Sequence, residues 1–141
     1  MRTEREIKSD FVQLVKDTGL ADAVSGGVYP EGERPRGSTA EDITVMLKTA
    51  DGRGLLQSGK VTIKAFVVNK PHGKAQVVGT DSRRVAELEA AFRDWAERIK
   101  GVHGDFVVNP STDDYVGSDS VQLPSVQRYV FITLIFTYLT D

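Results

Sequence analysis

From Val126 to Leu139 the chain alternates its side chains with period two and carries neither Gly nor Pro. One face reads Val126, Arg128, Val130, Ile132, Leu134, Phe136 and Tyr138. The other reads Gln127, Tyr129, Phe131, Thr133, Ile135, Thr137 and Leu139. β-Branched and aromatic residues at this spacing predict a strand, and both faces turn apolar after Tyr129. Such a strand needs cover on both sides. It is therefore expected in the middle of a sheet, with helices over one face and another element or protein surface over the other.

The rest of the chain has to supply that sheet. A length of 141 residues suits one domain with a real core, and a single domain over 1–141 is expected. A net charge of −2 gives no electrostatic ground for gripping nucleic acid or an acidic membrane. The absence of cysteine excludes disulfides, zinc–thiolate sites and thiol nucleophiles. The segment Met1-Arg2-Thr3-Glu4-Arg5-Glu6 is charged and no apolar run follows it, so no secretory signal is expected. The apolar C-terminal run is too short and too rich in Thr for a membrane helix. A soluble intracellular product is the expectation.

Two helices stand out. Ile7, Phe11, Leu14 and Val15 recur at helical spacing, with Gly19 as the stop. Val85, Leu88, Phe92, Trp95 and Ile99 form a second, cleaner stripe, capped by Asp81 or Ser82 and ended at Gly101. Around it, Arg83, Arg84, Arg93 and Arg98 alternate with Glu87, Glu89, Asp94 and Glu97, as on a solvated, salt-bridged face. Ile43–Lys48 and Val61–Val68 alternate as strands and are close enough to pair as a hairpin. Ala75–Val78 reads as a strand stub and Phe106–Val108 as a short strand. Val121–Leu123 reads as the start of another, before Pro124. The Gly- and Pro-rich stretch at 25–40 and the acidic stretch at 109–120 read as extended loops. This order predicts an α+β fold: a mostly antiparallel sheet, the second helix packed across one face, and a long central C-terminal strand.

Chemistry is harder to find. His72 and His103 sit in Gly-flanked turns, where a surface role accounts for them as well as catalysis. Asp113, Asp114 and Asp119 lack the ordered spacing and the Gly of a calcium loop. The glycines around Arg34 and Arg36 lack the strand-before, helix-after context of a phosphate loop. No catalytic residue, cofactor site or metal site is expected.

Several residues nonetheless carry a resemblance. The first helix ends in Gly26-Gly27-Val28-Tyr29-Pro30, and a loop with Arg34-Pro35 leads into Glu41-Asp42-Ile43-Thr44-Val45. Gln57-x-Gly59-x-Val61 then opens the next strand, and a long helix and a closing strand follow. This order resembles the tail-completion or tail-terminator proteins of long-tailed bacteriophages and prophages. The resemblance implies a non-enzymatic virion structural protein that assembles with itself into a ring, usually a hexamer, on the tail tube and against the neck. It implies no nucleic-acid or membrane partner, and a location in the bacterial cytoplasm during assembly and then in the virion. Tyr29, Arg34, Arg36, Tyr115 and Tyr138 are then the candidate subunit contacts, from the 25–40 loop, the acidic loop and the terminal strand. Heterologous contacts of this kind close into rings when the rotation permits. Other readings are a head–tail connector or minor capsid component, a small anion- or nucleotide-binding module using Arg34 and Arg36, and an enzyme using His72 or His103.

Overall fold

A computed structural model describes residues 1–53, 56–72, 77–80, 82–109, 116–122 and 126–139. Helix α1 (Glu4–Asp17) is followed by a 3-10 turn at Leu20–Ala23 and strands β1 (Val28–Pro30), β2 (Ile43–Arg53) and β3 (Leu56–Phe66). A small hairpin of β4 (Asn69–His72) and β5 (Val77–Thr80) precedes helix α2 (Ser82–Arg98). Strands β6 (Gly101–His103), β7 (Phe106–Asn109), β8 (Val116–Gln122) and β9 (Val126–Leu139) complete the order. The main sheet runs β1-β2-β3-β9-β7-β6, with β8 pairing β9 beside β7; among the described residues only the β1–β2 pair is parallel. The fold is α+β, as the pattern of elements predicts.

The terminal strand is central. It pairs with β3 from Leu56↔Leu139 to Phe66↔Tyr129, and its other edge takes both β7 and β8. Its even-numbered residues from Val130 to Tyr138 are all buried, in one core with Ile43, Val45, Val61, Ile63 and both helix stripes. Each large side chain in that set contributes on the order of 1.5–3 kcal/mol by leaving water. The odd-numbered residues Tyr129, Phe131, Thr133, Ile135 and Thr137 are only partly buried. Among the described residues both helices lie on the even face, so the expected cover on the odd face is not supplied by a helix.

Local rules set the ends of these elements. Thr3 and Glu6 form a reciprocal capping box on α1: the Thr3 hydroxyl accepts from the Glu6 amide and the Glu6 carboxylate accepts from the Thr3 amide. Gly19, at φ 88°, takes the left-handed conformation that ends the helix. Part of the stretch at 109–120, expected as an acidic loop, is strand instead. Val116–Gln122 is strand β8, recruited by its antiparallel ladder with β9 despite the Gly, Ser and Asp that weaken strand propensity. The 25–40 stretch likewise yields β1, paired to β2 through Val28↔Ile43.

Two contacts are stringent. Trp95 is fully buried and its indole N–H donates to the Thr18 hydroxyl at 2.7 Å, while that hydroxyl donates to the Leu14 carbonyl. This joins the C-terminus of α1 to α2. At Gly59 an added Cβ would run into the Thr49 carbonyl and the Phe136 ring, because β2 carries a bulge between Leu47 and Thr49 that brings its backbone close. Thr18→Val is expected to destabilise the fold by about 1–3 kcal/mol, by leaving the buried indole N–H without an acceptor. Gly59→Ala is expected to cost at least about 2 kcal/mol through the clash. Urea unfolding followed by tryptophan fluorescence measures both.

Candidate functional site

Among the described residues, three open clefts set out the possibilities. The first, about 520 Å³, runs along α1 and is lined by Arg2, Arg5, Glu6, Ser9, Asp10 and Asp105. It sets two cations against three carboxylates, and Arg2 is already paired with Asp105 at 2.5 Å. The adjoining cleft, about 390 Å³, brings together Asp10, Asp17, Asp105 and His103 with no lysine or arginine. Both surfaces disfavour an anion.

The third, about 180 Å³, lies on the open face of the sheet. Its lining is Met46 and Lys48 from β2, Thr62 and Lys64 from β3, Asp119 from β8, and Tyr129, Phe131 and Thr133 from β9. Two lysines face one carboxylate here, so of these three clefts it alone is cationic. The sheet builds it directly: Thr62 faces Thr133 and Lys64 faces Phe131 across the β3–β9 ladder, and Met46 faces Thr62 across β2–β3. The bulge in β2 falls at Lys48, which has no register partner on β3. The Thr62 and Thr133 hydroxyls are 2.8 Å apart, and the Lys64 ammonium sits 4.8 Å from the centre of the Tyr129 ring. Burial first, and the Asp119 carboxylate second, push the Tyr129 phenol above its ordinary range, so at neutral pH it is a donor. Lysine, hydroxyl and phenol donors over an apolar floor of Met46 and Phe131 suit a small anion with an apolar or flat substituent.

The loop glycines and arginines serve a different purpose. Asp42, buried at the start of β2, accepts from the Gly27 amide at 2.9 Å, Arg34 Nε at 3.0 Å and the Ser38 hydroxyl at 2.8 Å. Arg34 also donates to the Ala40 carbonyl and to Gln127 Oε1, and its guanidinium lies 3.8 Å from the centre of the Phe66 ring. Fully buried Gln127 donates to the Thr39 and Val67 carbonyls. Glu41 next door accepts two bonds from Arg84, which also donates to the Ala23 carbonyl. The hydrogen bonds it donates to Glu41 hold the Arg84 guanidinium firmly charged. Arg34 is thus committed to closing the 25–42 segment onto the sheet and does not face a ligand. At Gly26 an added Cβ would strike the Glu41 backbone, which explains one of the two adjacent glycines.

The remaining residues marked in the sequence are scattered. Tyr29 is half-buried on β1 with its ring lying back over Gly27, and Arg36 is exposed. Tyr138 is fully buried and its hydroxyl donates to Asp10 at 2.8 Å. Burial, and then that carboxylate, push its phenol well above the usual range. Tyr115, Asp113 and Asp114 lie outside the described residues, as does the side chain of His72 on β4. His103 ends β6, and its Nε2 lies 2.5 Å from the Ile99 carbonyl, so that nitrogen donates and satisfies the end of α2. Among the described residues no group of His and carboxylate side chains could hold a metal ion, and no helix is long and apolar enough to cross a membrane. Lys48, Lys64 and Tyr129 were not singled out as site residues by the sequence; their common signal is outward position on paired strands, which becomes visible only with the register.

The Asp42 cluster has a defined acid response. Burial alone would raise this carboxyl, but the Gly27 amide, Arg34 and Ser38 outweigh it and hold it below its ordinary value of 3.8. A carboxyl depressed in the folded state contributes stability above the unfolded value and loses it as pH falls through the folded one. Asp42→Asn is therefore expected to cost about 2 kcal/mol at pH 7. The gap to the native chain should narrow progressively below about pH 4, as urea unfolding across a pH series will show.

No known family's sequence model matches the chain. A solved structure known only by a sequence designation has a TM-score of 0.48 at 12% identity, covering 100% of this chain and 99% of its own, too slight a likeness to carry an argument. An acylphosphatase of Actinobacillus pleuropneumoniae serotype 5b (strain L20) is 35% identical over 74 residues, which are 52% of this chain and 77% of that protein. This likeness overturns the expectation of a non-enzymatic tail-terminator subunit. That expectation rested on element order and a Val28-Tyr29-Pro30 turn, which many α+β chains can share, whereas residue identity over most of another protein's length is far more restrictive. By that likeness the chain belongs to the acylphosphatase family.

Proposed function

We propose that this chain binds and hydrolyses small acyl phosphates in the cationic pocket on the open face of its sheet. The observation that carries the reading is the identity with an acylphosphatase over 77% of that protein's length. The charge pattern of the clefts supports the location: Lys48 and Lys64 line a pocket with one carboxylate, while the two clefts along α1 hold an excess of carboxylates.

The chemistry asks little of the protein beyond charge and position. In an acyl phosphate the leaving group is a carboxylate, which departs without needing a proton. The oxygen of water forms a bond to phosphorus, the bond from phosphorus to the acyl oxygen breaks, and the carboxylate leaves with the electron pair. A proton from the water passes to solvent or stays on the phosphate. Negative charge spreads over the three equatorial oxygens as the phosphoryl group transfers, so catalysis is largely positioning and electrostatic stabilisation. The Lys48 and Lys64 ammonium groups supply the positive field; the Tyr129 hydroxyl and the hydrogen-bonded Thr62–Thr133 pair, which keeps one proton to give, supply directed donors. The shift of the Tyr129 phenol keeps it protonated and suited to donating, not to acting as a base.

The experiment is hydrolysis of acetyl phosphate by the purified chain, with inorganic phosphate as a competing ligand. Lys64→Ala and Lys48→Ala are each expected to lower kcat/KM by about tenfold to a hundredfold. Arg36→Ala and His103→Ala should leave it unchanged. Hydrolysis no faster than in buffer, or loss of activity only in the Arg36 variant, would defeat the proposed site. Phosphate should raise the melting temperature of the native chain and fail to do so in the Lys64 variant, because a ligand that binds only the folded state stabilises it by mass action.

A further inference from the structure

The lysines and hydroxyls account for a phosphate, and beside them the pocket is lined by the rings of Tyr129 and Phe131, the first with the Lys64 ammonium 4.8 Å from its centre. Tyr129 and Phe131 occupy successive outward positions on β9, with ring centres 6.0 Å apart and planes inclined at 57°. Both are only partly buried and line the pocket, whereas Phe66, with its ring centre 5.7 Å from that of Tyr129, is buried beneath Arg34 and backs the pair. An acetyl-sized acyl group has no use for this surface. A long alkyl chain needs an enclosed channel, which an open pocket of about 180 Å³ does not provide. A flat heterocycle beside a phosphate fits both halves at once, because aromatic side chains on a sheet accept any base by its π-face.

Charge decides the size of that ligand. A nucleic-acid strand brings one negative charge per phosphate, whereas the whole chain carries a net −2 and the pocket offers two lysines against Asp119. A single nucleotide matches that balance.

Resting on the proposed acyl-phosphate chemistry, we infer that the substrate class is a nucleoside acyl phosphate. In it the phosphorus bears the acyl group on one oxygen and a nucleoside on another, and the base packs against Tyr129 and Phe131. Hydrolysis then consumes one water: its oxygen bonds phosphorus and the acyl carboxylate leaves. The products are a carboxylate, a nucleoside monophosphate and one proton released to solvent.

Calorimetric titration of the full chain with AMP, ribose 5-phosphate and inorganic phosphate tests this. AMP is expected to bind at least about tenfold tighter than ribose 5-phosphate, which shares its sugar and phosphate but lacks the base. Phe131→Leu should bring that ratio close to one by weakening AMP far more than ribose 5-phosphate, and Phe131→Tyr should retain it. Tyr129→Leu provides a second variant, with thermal melting to confirm that each is folded. Equal binding of AMP and ribose 5-phosphate, or a preference that survives both leucine variants, overturns the nucleoside assignment and leaves the phosphate site standing. Failure of all three compounds to bind overturns both. Binding of all three that is indifferent to Lys64→Ala overturns the location of the site, and the nucleoside assignment with it.

Discussion

Everything in this fold follows from the need to bury one face of β9. Val130, Ile132, Leu134, Phe136 and Tyr138 are 0–2% exposed, and they become so only when β3, β7 and β8 flank the strand and both helices cover the same side. Among the described residues both α-helices cover one side, which leaves the other without a helical layer there. The open face of the sheet is therefore a consequence of how the core is made. The pocket with Lys48, Lys64 and Tyr129 lies on that face, backed by the buried core. A site on paired central strands holds its groups more precisely than one on a loop.

The polar interior follows a second logic. The 25–42 segment carries glycines, prolines and little apolar surface, so hydrophobic burial alone cannot fix it. Asp42, Glu41 and Gln127 are buried, and each satisfies several backbone or arginine donors and acceptors that loop closure removes from water. Such a network contributes geometry as much as stability, because removing one member leaves the others buried and unpaired. It also settles the role of Arg34, whose charge looks available to an anion in the sequence but is bound to Asp42 and stacked on Phe66 in the fold.

The contrast between the two arginine settings shows where functional reading from residue type fails. Arg34 and Arg36 stand two residues apart in one loop, yet one lies in the interior cluster and the other is exposed. Lys48 and Lys64 stand far apart in sequence, yet line one pocket. Net charge misleads in a similar way: a value of −2 argues against large polyanions, but says nothing about a pocket where two lysines outnumber a carboxylate.

The sequence alone determined the periodic elements. The stripes of Ile7–Val15 and Val85–Ile99 specified two helices, and the alternation at 43–48, 61–68 and 126–139 specified the three long strands, because both patterns are local and their period selects the conformation. It also carried the α1 capping box, in Thr3 and Glu6, although the apolar pattern alone does not disclose it. Tertiary structure decided the rest. β8 became a strand through its ladder to β9, and β1 through its pairing with β2. Arg34 met Asp42 and Gln127, and Lys64 met Tyr129, through contacts that no local pattern encodes. Which face of the terminal strand stays open depends on where two helices settle, and that is fixed by packing between distant residues.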